Sequence, residues 1–472
     1  MNLSLGEVAA YVDSTCGEPD RVVQGYSIDS RSLGPGQLFF AIRGPRFDGH
    51  QFATSAVESG AAGAVVNQDF FAAAPSELMP LMLPVADTRE ALQTLGRAVR
   101  RRWGKKVVAI TGSAGKSTTK EMLAAILSRR LRVMRSPGNL NNDYGVPLAL
   151  LELDTEHEVA VVELGMSASG EIARLARIAE PQIGVVTNVA AAHLQFFDSI
   201  EAIARAKREL IDYLAATGPE SVAVLNADDE RVRAFGRDFP GRVITYGFSP
   251  GATFQAASTT PGPQRGNVFG VTAPEWGATF SLPLPGRHNV QNAVAAIAAA
   301  STFDIPPAAI QQALADFQNL HQRSEIITLP GGVTVINDCY NANPLAMARM
   351  LEMLADWPEA RRRVVVAGEM LELGPLSPEL HQEVGRQAAR CGVERVIGVQ
   401  GDARFLVEEF QAQHVPGSQG AFFPESRAAG AFARSLIAPG DVVLVKGSRG
   451  VHLETVIEML RAWEVSTPPP EV

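Results

Sequence analysis

Val107-Val-Ala-Ile-Thr-Gly-Ser-Ala-Gly-Lys-Ser-Thr-Thr-Lys-Glu-Met122 reads as a buried strand, a glycine turn and the start of a helix. That order builds a grip for phosphate. Gly112 and Gly115 let the backbone curl, so that N–H groups of the stretch Thr111, Gly112, Ser113, Ala114, Gly115 and on to Thr118 converge on phosphate oxygens at a helix N-terminus. Lys116 puts a point charge beside the β- and γ-phosphates, and Ser117 offers a hydroxyl to Mg²⁺. The common pattern G-x-x-x-x-G-K-[ST] asks for glycine at position 110, where this chain carries Ile110. The match is to a shorter form, T-G-x-x-G-K-[ST]. A chance Gly-Lys-Ser after a strand is the competing explanation, and the flanking strand and helix weigh against it.

A second chemical feature lies in Asp198-Ser-Ile-Glu-Ala-Ile-Ala-Arg-Ala-Lys-Arg-Glu-Leu-Ile-Asp-Tyr-Leu214. Ile200, Ile203, Ala204, Leu210, Ile211 and Leu214 form an apolar stripe at helical spacing, with Asp198 or Ser199 as cap and Glu201 placed for a capping box on Asp198. Lys207 falls on that stripe, whereas Arg205 and Arg208 lie off its centre. An inward lysine is costly unless paired, neutral or modified. Two readings stay open: a stem that packs while the amine reaches water, or an amine kept reactive beside the nucleotide. Glu163 and His193 follow the apolar runs 159–162 and 183–186, at strand ends where α/β sheets bind ligands. Each alone is an ordinary loop residue. Both beside a phosphate loop point to Mg²⁺, which favours carboxylate oxygens, with His the less usual ligand.

Such groups need a sheet to hold them. Between about 87 and 316, helical segments alternate with short β-branched runs at 107–110, 159–162, 183–186 and 221–225, as expected of parallel strands covered on both faces. A helix over about 88–103 leads into this unit, and residues 250–285, rich in Gly, Pro and Thr, are expected as loops and short antiparallel strands. Residues 1–86, with apolar runs at 37–42 and 63–67, read as a small mixed α/β domain. A third unit, 317–472, has strand candidates at 333–336, 363–367, 396–399 and 441–445, which predict a doubly wound, Rossmann-like fold. Ser377-Pro378 is expected to cap a helix there, and 466–472 to form a disordered tail. The expectation is thus a three-domain α/β protein around a central P-loop parallel sheet, consistent with 472 residues.

A formal charge of -9 argues against a general nucleic-acid binder. Cys16, Cys339 and Cys391 are too few and too scattered for a disulfide framework or a zinc site, and suit a reducing cytosol. Neither a signal-peptide pattern nor a membrane-length apolar run is present, so a cytoplasmic protein is expected.

In their order along nearly the whole chain, these motifs resemble the Mur ligase family, ATP-dependent amide ligases of bacterial peptidoglycan synthesis. Thr111-Gly-Ser-Ala-Gly-Lys-Ser117 is similar to the family's nucleotide loop. Glu163-Leu-Gly, Asn188 through His193-Leu, and Ala206-Lys207-Arg-Glu209 are similar to its metal-site motifs. The resemblance implies that Lys207 is carbamylated and, with Ser117, Glu163 and His193, holds two Mg²⁺ ions. Gly286-Arg-His-Asn-Val-Gln-Asn-Ala293 resembles the adenine-contacting motif, its Asn289 and Asn292 sharing a helix face. His321-Gln-Arg323-Ser-Glu325 and Asn337-Asp338 resemble motifs whose Arg and Asp reach the triphosphate and ribose.

Asp338-Cys-Tyr-Asn-Ala-Asn-Pro344 resembles the D-x-Y-N-A-N-P signature of the member that adds D-alanyl-D-alanine to UDP-N-acetylmuramoyl-tripeptide, with Cys339 where serine is expected. Gly368-Glu-Met-Leu-Glu-Leu-Gly374 followed by His381, and Val445-Lys-Gly-Ser-Arg449, fit the same member, and the D-N-P-R motif of the diamino-acid-adding member is absent. The resemblance implies substrate contacts at Asn341, Asn343, Lys446, Ser448 and Arg449. Asp29-Ser-Arg31 and Gly44-(x2)-Phe47-Asp-Gly-His50 imply contacts to the UDP-sugar end at Ser30, Arg31, Asp48 and His50; outside the family, Asp48-Gly-His reads only as a turn. It further implies an acyl-phosphate intermediate, a catalytic set of Lys116, Lys207, His193 and Arg323, and a monomeric enzyme. Two rivals stay open: a Mur-type or folylpolyglutamate-type ligase with another acceptor, and a nucleotide-dependent switch. The inward Lys207 with Glu163 and His193 speaks against a switch.

Overall fold

The strand Lys106–Thr111 is apolar from Val107 to Ile110 and fully buried there, which makes it the spine of the largest sheet. In the computed structural model, which describes residues 1–463 except 45, 46, 258, 262–265 and 319, it lies between two parallel neighbours, Val159–Glu163 and Ile183–Val186. The tail expected at 466–472 lies outside the described residues. Val133–Arg135 extends the sheet on the first side; Val222–Asn226 and Arg242–Gly247 extend it on the second. The chain therefore winds first one way and then the other from Lys106–Thr111. Its C-terminal end is the switch point where an open α/β sheet leaves a crevice.

Beyond Arg242–Gly247 come the short strands Phe254–Ala256, Thr260–Pro261, Asn267–Thr272 and Gly277–Leu282, mostly antiparallel, completing ten strands among the described residues. The helix Arg287–Ala300 is buried from Asn289 onward, and its run of alanines lets it pack closely on the helix Lys116–Leu127.

Four parallel strands, Gly25–Ser27, Gln37–Phe40, Gly63–Asn67 and Met82–Val85, form the N-terminal sheet in chain order. The helix Thr88–Trp103 joins it to the centre. Asp87 caps that helix by accepting from the N–H groups of Arg89 and Glu90, and Gly104, at φ 73°, stops it. Leu92, Leu95, Val99 and Trp103 enter one apolar core with Leu38 and Leu83 of the first sheet and Val107 and Val162 of the second.

The C-terminal sheet runs Glu325–Thr328, Thr334–Asn337, Val442–Lys446, Arg363–Gly368, Arg395–Val399, Gln419–Phe423, parallel except for its first strand. Apolar cores cover both its faces. No described helix is long and apolar enough to cross a membrane.

Two capping expectations need correction. The helix Ile200–Thr217 is capped by Ser199, whose hydroxyl accepts from Ala202, while Glu201 pairs with Arg231, so no box forms on Asp198. Ser377 is the first residue of the helix Ser377–Arg390, not its cap: a 3-10 turn, Gly374–Leu376, runs directly into the helix, and the Ser377 hydroxyl turns to His381. The Asp87 cap yields a test. Asp87→Ala should lower stability by about 1 kcal/mol, read as a lower denaturation midpoint; an unchanged midpoint contradicts the capping role.

Candidate active site between the central and C-terminal sheets

The phosphate loop needs glycine at two positions. Gly112 sits at φ 149°, and a Cβ there would lie 1.8 Å from the Thr187 hydroxyl; Gly115, at φ 85°, would meet the Asn292 side chain at 2.3 Å. The loop is fixed from the neighbouring strand end. Asn188 accepts from the Ala114 N–H at 2.9 Å and donates to the Ala114 carbonyl at 3.0 Å, while the Thr187 hydroxyl donates to the same carbonyl. Asn188, noted in sequence only as part of a metal motif, therefore shapes the loop. Lys116 opens the helix Lys116–Leu127 and donates to the Gly112 carbonyl at 2.8 Å.

At the tip of Val159–Glu163, Glu163 is buried and holds the Ser117 hydroxyl at 2.6 Å and the Asn141 amide at 2.8 Å. Lys207 faces inward as its place on the stripe predicts, with 1% exposure, which excludes the snorkelling reading. Desolvation, reinforced by the charge of Lys116, holds its amine well below the ordinary lysine pKa. Burial likewise lowers Lys116, opposed by Glu163 and reinforced by Arg323. His193, at φ 60°, borders the same space, and its Nδ1 meets a Glu372 oxygen at 2.5 Å. That hydrogen bond holds the Glu372 carboxyl below its usual range.

From the C-terminal side come Arg323, its guanidinium 4.1 Å from the centre of the Tyr340 ring, and Asp338, which accepts from Lys446 at 2.5 Å and from the Ser324 N–H at 2.8 Å. Asn343 caps the helix Pro344–Ala355 and donates to the Ser113 carbonyl at 3.4 Å, tying the two units. Lys116, Ser117, Glu163, His193, Lys207, Arg323, Asp338 and Asn343, with Asn289, Asn292 and Asn341, line one cleft of about 440 Å³.

Other expected contacts lie elsewhere. The Arg449 guanidinium lies 5.3 Å from the centre of the Tyr340 ring, and Ser448 accepts from the Leu371 N–H. Ser30, Arg31, Asp48 and His50 do not line the cleft. Arg31 is exposed and paired with Asp29. Asp48 caps a 3-10 turn, and His50 is buried with Nδ1 on Asp48 and Nε2 accepting from the Asn67 N–H, so both its ring nitrogens are engaged within the fold.

Sequence reasoning missed the segment Asn139-Leu-Asn-Asn-Asp143, which lines the cleft, and buried Lys120, whose amine donates to the Ser136 and Gly138 carbonyls and fixes that segment's entry. It also missed His288 and Arg349; burial pushes the former's pKa down to about 4, keeping it neutral. The polar cluster after Gly138 was the available signal. Burial pushes the Cys339 thiol up to about 12, so this residue offers no thiolate nucleophile.

The residues present suit Mg²⁺. Among the described residues no three His, Cys, Asp or Glu side chains converge on a ready-made metal cage. A hydroxyl, a carboxylate and an imidazole beside a phosphate loop match instead a cation that keeps waters and takes phosphate oxygens as ligands.

Models of three families' segments match the chain: the Mur ligase family catalytic domain over residues 22–100, the Mur ligase middle domain over 110–300, and the Mur ligase glutamate ligase domain over 322–449. A UDP-N-acetylmuramoyl-tripeptide–D-alanyl-D-alanine ligase of Bacillus subtilis (strain 168) is 34% identical over 456 residues, 96% of this chain and 97% of that one. The crystal structure of MurF from Acinetobacter baumannii is similar with TM-score 0.86 at 32% identity, covering 98% of this chain and 99% of that one. The structure of MurF ligase from Thermotoga maritima in complex with ADP gives 0.79 at 27% identity, covering 93% and 97%.

Because residue 112 has no room for a Cβ, Gly112→Ala should add about 1–3 kcal/mol of strain. Nucleotide affinity should fall roughly tenfold or more, measured by titration calorimetry; wild-type affinity would show that the turn adapts.

Proposed function

The chain belongs to the Mur ligase family, and on that premise we propose that it joins D-alanyl-D-alanine to UDP-N-acetylmuramoyl-tripeptide with consumption of ATP, a step of peptidoglycan synthesis on which cell shape and division depend. One observation carries this reading: the phosphate loop, Glu163 and Lys207 of the central sheet face Arg323, Asp338, Asn341 and Lys446 of the C-terminal sheet across a single cleft. A carboxylate donor, a nucleotide and an amine acceptor can thus meet between two units.

The chemistry proceeds by two displacements. A carboxylate oxygen of the tripeptide attacks the γ-phosphorus of ATP, ADP leaves, and an acyl phosphate forms. The amine of D-alanyl-D-alanine then attacks the acyl carbon, phosphate leaves, and the amine gives up a proton. Catalysis is positioning and charge neutralisation. The backbone of residues 111–118 cradles the phosphates, Lys116 and Arg323 face the transferring group, and Asn289, Asn292 and Asp338 hold the adenosine. Lys446, Asn341 and Asn343 lie on the acceptor side, with Ser448 and Arg449 behind them, while Ser30, Arg31, Asp48 and His50 serve the UDP-sugar end through the N-terminal sheet. ADP release and the acyl-phosphate step need no protein nucleophile.

Mg²⁺, two ions in this reading, supplies further charge neutralisation when bound, and Ser117, Glu163, His193 and Lys207 would hold it. Lys207 fits that role only after modification, since an ammonium repels a cation. Its depressed pKa leaves more free amine than an ordinary lysine has; CO₂ adds to that nitrogen, a proton leaves, and a carbamate results. The enzyme is read as a monomer. The free Cys16, Cys339 and Cys391 support a cytoplasmic setting.

Phosphate release from ATP should require both the UDP-linked tripeptide and D-alanyl-D-alanine. Release indifferent to both sinks the ligase reading; release supported only by a free diamino acid with the UDP-linked dipeptide moves the protein to a neighbouring activity. Lys207→Ala should lose most activity, roughly a hundredfold or more, with acetate or formate restoring part and bicarbonate or chloride restoring none. Full activity in that variant, or no isotope incorporation at Lys207 from labelled bicarbonate, rejects the carbamate.

A further inference from the structure

The stretch Gly368-Glu-Met-Leu-Glu-Leu-Gly374 takes no part in the chemistry above, yet its backbone is held with unusual thoroughness by its own unit. The Glu369 N–H donates to the Val399 carbonyl, the Met370 N–H to Nε2 of His381, and the Leu371 N–H to the Ser448 hydroxyl. The Ser448 N–H returns a bond to the Glu369 carbonyl, and Nδ1 of His381 is itself engaged at 2.7 Å by the Ser377 carbonyl. His381, noted in sequence only as part of a motif, and Ser448, an expected substrate contact, thus serve to brace this loop.

What the braced loop presents is Glu372. At φ 64° it turns out of the C-terminal unit and reaches the central one, where its carboxylate lies 2.5 Å from Nδ1 of His193 and its carbonyl accepts the Gln195 N–H at 2.9 Å. Gly374 follows at φ 58°, so close that a Cβ there would come within 3.1 Å of Gln195 Cα. The contact therefore has backbone and side-chain parts, all between the two units.

We infer that Glu372 is a positioning residue for His193: carried on the C-terminal unit, its carboxylate orients the metal-site imidazole, so that the metal site is fully assembled only when the two units are closed. The chemistry is that of a histidine donating one ring N–H to a carboxylate, which fixes the tautomer and leaves the other nitrogen, Nε2, as the basic donor to a cation. Here the carboxylate arrives from the unit proposed to bring the acceptor, so closure and metal-site geometry become one event. This rests on the metal role proposed above for His193.

The test uses Mn²⁺ as probe, titrated by electron paramagnetic resonance into the full-length protein with a non-hydrolysable ATP analogue. Glu372→Ala should weaken Mn²⁺ binding roughly 10–100-fold, Glu372→Gln, which keeps an acceptor oxygen, should weaken it less, and Glu372→Ala should add nothing in a His193→Ala background. Equal Mn²⁺ affinity in wild type and Glu372→Ala, or the same loss in both backgrounds, overturns the inference while leaving the metal role of His193 standing. Absence of Mn²⁺ binding by the wild type removes both. Should Glu372→Ala fail to fold, Glu372→Asp, whose shorter carboxylate falls away from Nδ1, carries the same comparison.

Discussion

Cations crowd the cleft. Burial disfavours the charged form of both Lys116 and Lys207; the charge of Lys116 adds to the effect on Lys207, and that of Arg323 to the effect on Lys116. Burying like charges together is unfavourable until an anion or a modification compensates them. The surrounding structure is arranged around that constraint. Lys207 is held inward because Ile203, Leu210, Ile211 and Leu214 anchor its helix in the core. Glu163 ends one strand buried on both faces and Asp338 directly follows another, and each is held by hydrogen bonds, Glu163 to Ser117 and Asn141, Asp338 to Lys446 and Ser324. A polyphosphate is the compensation such a cleft is built to accept.

Topology explains why the compensating groups can arrive from separate units. The reversal of winding at Lys106–Thr111 opens the central sheet at one end, and the parallel C-terminal strands Thr334–Asn337 and Val442–Lys446 bring Asp338 and Lys446 to their own open end. The two crevices face each other. A core shared between the N-terminal sheet and the helix Thr88–Trp103 binds the first unit firmly to the second, whereas the third meets the second through polar contacts such as Asn343 to Ser113 and Arg349 to Gln291.

Much of this was legible in the chain. The helix at 88–103 and the strand at 183–186 have the bounds that capping and apolar runs predict, and the other central strands are displaced by a residue or so. Elements that escaped were mostly sheet edges: Val133–Arg135 is short, Met82–Val85 contains Pro84, and Gln419–Phe423 is partly exposed, so none shows a continuous apolar run. Arg242–Gly247 is interior and carries the β-branched pattern, so it was readable and was passed over. In the site, the phosphate loop and the inward Lys207 stood out because one is a backbone requirement and the other breaks a periodicity. The asparagines at 139, 141 and 142 break nothing in the pattern; Asn141 is tied to the site only through its bond to Glu163, 22 positions away. Glu372 was visible as part of a motif, but its partner lies 179 positions away in the chain.

The bond from Asn343 to the Ser113 carbonyl is long, at 3.4 Å, and it lands on the loop that must let go of spent nucleotide. Letting go of the loop costs little at Asn343, while the shorter contacts of Glu372 to His193 and to the Gln195 N–H keep the two units joined.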